Sequence, residues 1–84
     1  MNESELIAAI QVGITNYNLW TIGITDDPER RKAEHKSKGE KIDYWRDWRA
    51  DTETIARNVE SYFLKKGMKG GSGGGEHPTF VYIF

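Results

Sequence analysis

The sequence predicts an α+β domain: a small three-stranded, mainly antiparallel sheet flanked by helices. Its 84 residues are enough for one domain with one core, so we expect a single domain over residues 1–84. Segments with helical spacing of apolar residues alternate with segments rich in β-branched and aromatic residues, which gives the order α-β-α-β-α-β. Turn-forming residues separate most of these segments.

The first helix is predicted from a capping signal followed by apolar residues at helical spacing. Asn2 or Ser4 can cap it, and the glutamates at positions 3 and 5 suit the positive end of a helix dipole. A turn-rich stretch over residues 15–18 ends this unit. The apolar positions of the helix are Leu6, Ile7, Ile10 and Ile14.

The first strand and second helix follow directly. Leu19–Thr25 is dense in β-branched and aromatic residues, which predicts a strand. Gly23 within it is unusual, and such a glycine marks a bulge or a place where another group closely approaches the backbone. Asp27 as cap and Pro28 as first helical residue then predict a short helix over residues 29–36.

The second half of the chain contains two strands and the longest helix. Residues 42–49 partly alternate and predict the second strand. Asp51 or Thr52 caps a helix over residues 53–66, whose apolar stripe indicates packing on the sheet. Gly67 is a good helix end.

Residues 67–78 are interpreted as a flexible glycine-rich connector, because their glycine run lacks the lysine and serine of a phosphate-binding loop. Whether GGSGGG is native or an engineered linker is left open by the sequence. The final apolar segment, Thr79–Phe84, predicts a third strand paired within the sheet.

Composition and charge narrow the classes of function. The chain has 12 Lys and Arg, 13 Asp and Glu and a net charge of −1, so it has no general attraction for nucleic acid. Residues 28–49 carry eight basic and five acidic side chains, which a solvated face explains as well as a phosphate-binding patch does. The absence of cysteine excludes disulfides and thiolate metal sites. An acidic N-terminus and short apolar runs predict a cytoplasmic protein with no membrane partner.

Thr21–His35, TIGITDDPERRKAEH, resembles the core motif of GIY-YIG nucleases. In that family one strand bears Gly-Ile-Tyr and another Tyr-Ile-Gly; a helix with a key arginine, and often a histidine one turn later, follows. Arg31 and His35 lie eight and twelve residues after Gly23, at the spacing expected of the family, and four apart on one helix face. Glu60 resembles the metal-binding glutamate that a later helix of the family supplies.

The chain departs from the family pattern in two ways. Thr21 stands where the second motif has tyrosine, and no strand precedes it at the usual place. Phe80–Phe84, however, resembles the first strand of family members. If this strand lies beside Leu19–Thr25, the domain is a circular permutation and Tyr82 takes the position of the first motif's tyrosine.

The resemblance implies metal-dependent hydrolysis of a phosphodiester in DNA or RNA. Arg31 would clamp the phosphate, Glu60 would hold Mg²⁺ or Mn²⁺, and Tyr82 or His35 would assist proton transfer. Each residue also has an ordinary explanation: a solvated arginine, a surface glutamate, a packing histidine and a core tyrosine. The alternative function is a non-catalytic interaction or nucleic-acid-binding module that retains the fold. The sequence leaves enzyme activity and oligomeric state open.

The chain has a large group of aromatic side chains for its length, with two arginines close to them in the sequence. These side chains either build the core or form a platform on which bases stack, with the arginines contacting phosphates. Only two histidines are present, so a zinc site is not expected. The candidate substrate-binding residues of this platform are Trp20, Trp45, Arg46, Trp48 and Arg49.

Overall fold

A computed structural model describes residues 1–71 and 75–84. None of the helices in these two ranges is long and apolar enough to cross a membrane. A short 3₁₀ turn at Tyr17–Leu19 precedes the first strand. The helices are α1 (Glu3–Gln11), α2 (Pro28–Ser37) and α3 (Glu53–Lys66), and the strands are β1 (Thr21–Thr25), β2 (Arg46–Arg49), β3 (Lys69–Gly70) and β4 (Phe80–Ile83).

The sheet differs from the predicted one. The α+β class is confirmed, but the sheet has four strands in the order β2-β4-β1-β3, and it is mixed because β3 runs parallel to β1. The prediction of three mainly antiparallel strands missed β3, which falls inside the supposed connector over residues 67–78. Its two residues, Lys69 and Gly70, show no alternation of apolar side chains that would predict a strand. The strand forms because its backbone groups pair with those of β1. Residues 72–74 of that connector lie outside the described part of the chain.

The last strand lies in the interior of the sheet, between β2 and β1. It is antiparallel to both, and Tyr82 is the partner of Gly23 on one side and of Asp47 on the other. The expectation that the C-terminal strand pairs beside the first strand is therefore confirmed. Whether the chain is related to GIY-YIG nucleases by a circular permutation stays a prediction.

The two faces of the sheet have different partners. Side chains alternate along a strand, so Val81 and Ile83 of β4 share one face with Ile22 and Ile24 of β1. These four residues are buried in the core with side chains of α1 and α3. The opposite face bears Gly23 and Tyr82 and is covered by α2 and the loop that follows it. His35 and Tyr82 of the candidate site lie on this second face, whereas Glu60 lies on α3.

Capping residues account for the helix bounds. Asp27 caps α2 by accepting from the backbone N–H of Arg30 at 3.1 Å, as predicted. Thr52, one of the two expected caps, accepts from the N–H of Ile55, and α3 has the predicted bounds. The second strand is shorter than predicted, because the N–H of Trp45 bonds to the carbonyl of Ile42 and turns the chain before β2 begins.

Asn2, rather than Ser4, caps α1. Its side chain accepts from the N–H of Glu5 at 2.9 Å, and the Glu5 carboxylate accepts from the N–H of Asn2 at 2.8 Å. We expect Asn2→Ala to lower the free energy of unfolding by about 1 kcal/mol in urea denaturation. Ser4→Ala is the matched control and should stay within about 0.5 kcal/mol of the wild type. Equal losses in the two variants would contradict this cap.

Candidate functional site

Tyr82 is fully buried in a space that two glycines leave open. A Cβ atom added at Gly23 would overlap the Tyr82 ring and hydroxyl, and one added at Gly71 would lie 2.7 Å from the hydroxyl oxygen. Trp45 stacks on the tyrosine ring, with centroids 4.6 Å apart and an interplanar angle of 9°. Gly23 thus marks a close approach to the backbone, one of the two features that a glycine in this strand predicted.

His35 joins Tyr82 to a carboxylate. Its Nε2 lies 3.1 Å from the Tyr82 hydroxyl oxygen, and its Nδ1 lies 3.1 Å from Oε1 of Glu40. The imidazole is 2% exposed, and its centroid lies 4.6 Å from that of the Phe84 ring. Tyr82, His35, Glu40, Trp45 and Phe84 are together called the tyrosine–histidine cluster below.

The end of α2 places Glu40 in this cluster. Gly39 has a φ of +83°, and its N–H bonds to the carbonyl of Lys36 at 3.0 Å. The N–H of Glu40 bonds to the carbonyl of His35 at 3.1 Å, so the helix ends in a Schellman motif. The motif turns the chain back toward the helix, and the Glu40 side chain therefore lies against the His35 ring.

Arg31 lies one turn before His35 on α2, and its side chain is only 14% exposed. Nη1 pairs with Oε1 of Glu34 at 3.0 Å. Nε is buried and has no hydrogen-bond partner among the residues that the structure describes. Burial raises the pKa of the Tyr82 phenol and the positive charge of Arg31 opposes that increase, so the two groups are within electrostatic range of each other.

Glu60 approaches the same phenol from α3. Burial raises the pKa of the Glu60 carboxyl above its usual value, while the nearby positive charge of Arg57 lowers it. Burial also raises the pKa of Tyr82 to about 12; Arg31 opposes this increase, and the negative charges of Glu60 and Glu40 add to it. Tyr82 is therefore a neutral phenol near pH 7.

Three of the four residues for which the resemblance implied chemistry lie on α2 and β4, and the fourth, Glu60, lies on α3. His35 contacts Tyr82 directly, and Arg31 and Glu60 act on its phenol through their charges. Two further residues of the cluster, Glu40 and Phe84, were missed. The sequence signal for Glu40 was its position directly after Gly39, a glycine just beyond the end of the predicted helix. A Schellman motif at such a glycine places the following residue next to the last turn of the helix.

The residues of the predicted stacking platform lie in more than one part of the structure. Trp45 belongs to the tyrosine–histidine cluster, whereas Trp48 packs against the core. The Arg46 guanidinium lies 4.9 Å from the Trp48 ring centroid and donates to backbone carbonyls at the end of α1. Arg49 lies 5.6 Å from the Phe80 ring centroid. Trp20, Trp45 and Arg46 line one open groove of about 360 Å³, and Trp48 and Arg49 are not among its lining residues.

Trp20 lines an open groove of about 490 Å³ beside the cluster. Tyr44 and Leu19 also line it and are each 76% exposed. Phe84 and Glu40 belong both to this groove and to the tyrosine–histidine cluster. The exposed aromatic surface of the domain is therefore adjacent to its buried polar site.

The described residues contain no group of three or more histidine, aspartate or glutamate side chains that could hold a metal ion. Mg²⁺ in phosphoryl-transfer sites needs only one or two carboxylates, since water and substrate phosphate supply its other ligands. The partly buried Glu60 carboxylate fits that kind of site. Comparison of the chain with family models, with curated proteins and with solved structures finds no match. Function is therefore inferred from the geometry of the cluster.

Proposed function

We propose that this domain binds nucleic acid at Arg31 and hydrolyses a phosphodiester in the manner of GIY-YIG nucleases. The observation that carries this proposal is the contact between His35 and the Tyr82 hydroxyl, with the charges of Arg31 and Glu60 within electrostatic range of that phenol. These residues come from α2, α3 and β4, so their relative positions are determined by the tertiary fold and not by one sequence motif. The proposal includes a cytoplasmic location, with which the absence of cysteine is compatible.

Each group has a distinct role in this reaction. The guanidinium of Arg31 would exchange its pairing with Glu34 for a phosphate oxygen, to which it can donate in a fixed planar geometry. Glu60 would hold Mg²⁺ or Mn²⁺, which supplies positive charge for the phosphate and acidifies a bound water. Tyr82 and His35 would transfer a proton between the Tyr82 hydroxyl oxygen and Nε2 of His35.

Paired variants test these roles. With Mg²⁺ or Mn²⁺ and single- and double-stranded DNA and RNA as substrates, Arg31→Ala and Glu60→Ala should each lower cleavage by about 100-fold or more. The neighbours Arg30→Ala and Arg57→Ala are the controls, because these arginines are exposed and pair with Asp26 and Glu53. Circular dichroism should show all four variants folded. Equal activity of Arg31→Ala and Arg30→Ala would contradict the site.

The second candidate is a non-catalytic module that binds nucleic acid or a protein partner with the same fold. The favouring observation is that Tyr82 has no exposed surface, while Tyr44, which lines the groove next to the cluster, is 76% exposed. A nucleic-acid-binding module would bind in a salt-dependent manner and cleave no substrate. Fluorescence anisotropy at several salt concentrations, together with the cleavage assay, separates it both from a nuclease and from a protein-binding module.

A further inference from the structure

The two nitrogens of His35 face groups of different hydrogen-bonding capacity. Nδ1 faces a carboxylate oxygen of Glu40 at 3.1 Å, and Nε2 faces the hydroxyl of Tyr82 at the same distance. An ionised carboxylate can only accept, whereas a tyrosine hydroxyl can donate or accept. The proton of a neutral imidazole therefore belongs on Nδ1, where it is donated to Glu40.

We propose that Glu40 is a positioning residue, which holds His35 in the Nδ1–H tautomer so that Nε2 accepts the proton of Tyr82. The partly exposed carboxylate of Glu40 contacts the buried imidazole of His35, which in turn contacts the buried phenol of Tyr82. The rings of Trp45 and Phe84, which pack against His35, carry no hydrogen-bond acceptor for Nδ1. The second nitrogen of a histidine is commonly set in this way by the partner of the first.

The local fold keeps this arrangement in place. The Schellman motif fixes Glu40 one turn from His35, and Phe84 and Trp45 pack around the imidazole. Because His35 is 2% exposed, bulk water competes little for either nitrogen. A hydrogen bond to a charged group is strong under these conditions.

The role in catalysis rests on the proposed function. The Oη–H bond of Tyr82 breaks and an Nε2–H bond forms on His35, which gives a phenolate and an imidazolium. The Glu40 carboxylate stabilises that imidazolium through Nδ1–H, and the charge of Arg31 stabilises the phenolate.

The phenolate then takes a proton from water, whose oxygen forms a bond to phosphorus as the bond to the leaving oxygen breaks. The leaving oxygen takes a proton from solvent, and the imidazolium returns one to solvent. No electrons are transferred to or from a further reactant.

Long-range ¹H–¹⁵N NMR spectra of the folded protein near pH 7 test the tautomer directly. We expect the wild type to carry Nδ1–H, and Glu40→Ala to raise the ratio of Nε2–H to Nδ1–H by about 10-fold or more. Glu40→Gln retains an oxygen that accepts from Nδ1 and should keep the Nδ1–H tautomer. Lys41→Ala, next to Glu40, is the control and should leave the ratio unchanged. A wild-type His35 that carries Nε2–H, or a ratio unaffected by Glu40→Ala, would overturn the proposal.

Cleavage assays separate this inference from the proposed function. If the wild type cleaves, Glu40→Ala should lower kcat by about 10-fold with little change in KM, and Glu40→Gln should recover part of the loss. An unchanged kcat despite a shifted tautomer would overturn the role of Glu40 in the reaction. Failure of the wild type to cleave would instead contradict the proposed function, while the NMR result still decides the assignment of the tautomer.

Discussion

Val81→Asp is expected to leave the chain unfolded at 25 °C. Val81 is fully buried at the centre of the sheet, where β4 pairs Val81 with Ile24 of β1 on one side and with Trp48 of β2 on the other. A buried carboxylate without a partner costs several kcal/mol, and small domains have only about 5–15 kcal/mol of stability in total. Far-UV circular dichroism and the dispersion of amide NMR signals will show whether the fold is lost.

The neighbouring residue supplies the matched control. Phe80 points to the opposite face, is only partly buried and lies near the Arg49 guanidinium, which can pair with a new carboxylate. Phe80→Asp should therefore remain folded in the same measurements. If both variants fold with similar urea midpoints, β4 does not lie in the interior of the sheet.

Helices were more predictable than the sheet because their signals are local. Thr52 and Gly67 bracket an apolar stripe at helical spacing, and α3 has the bounds that these residues indicate. Asp27 followed by Pro28 fixed the start of α2 in the same way. Caps of this kind act within three or four residues, so a single sequence contains the information needed to place them.

Sheet pairing depends on groups that are distant in the sequence. The two-residue β3 has no strand propensity of its own, and its partner residues, Thr21 and Ile22, lie almost fifty positions earlier. The predicted second strand was too long because residues 42–45, which include Tyr44 and Trp45, have a strand-like sequence, whereas a local backbone hydrogen bond turns that segment. The neighbouring positions of β1 and β4 could be predicted only through the resemblance.

The candidate site was partly accessible from the sequence. Arg31 and His35 share a helix face because they are four residues apart, and this can be read directly from their spacing. Glu40 depends on the left-handed turn at Gly39, so its contact with His35 is visible only once the helix end is known. Glu60 comes from another helix, and only the resemblance suggested that it belongs with Tyr82.

Gly23→Ala is expected to lower the free energy of unfolding by about 3 kcal/mol, measured by urea denaturation. The added methyl group would overlap the Tyr82 ring and hydroxyl, and the ring has little room to move because Trp45 is stacked on it. Gly70→Ala, in the neighbouring strand β3, is the matched control. Its Cβ would lie at an ordinary distance of 3.5 Å from a methyl carbon of Leu64, so a change within about 0.5 kcal/mol is expected.

The Tyr82 hydroxyl is one of the atoms that the Gly23→Ala methyl group would overlap, so the two positions should be coupled. Tyr82→Phe removes that hydroxyl, and the double variant should therefore lose less stability than the sum of the two single losses. Additive losses would mean that the Tyr82 hydroxyl does not lie against Gly23. Non-additivity would identify the reason for a glycine in this strand: it admits the phenol that His35 and Arg31 approach, and any larger residue would displace it.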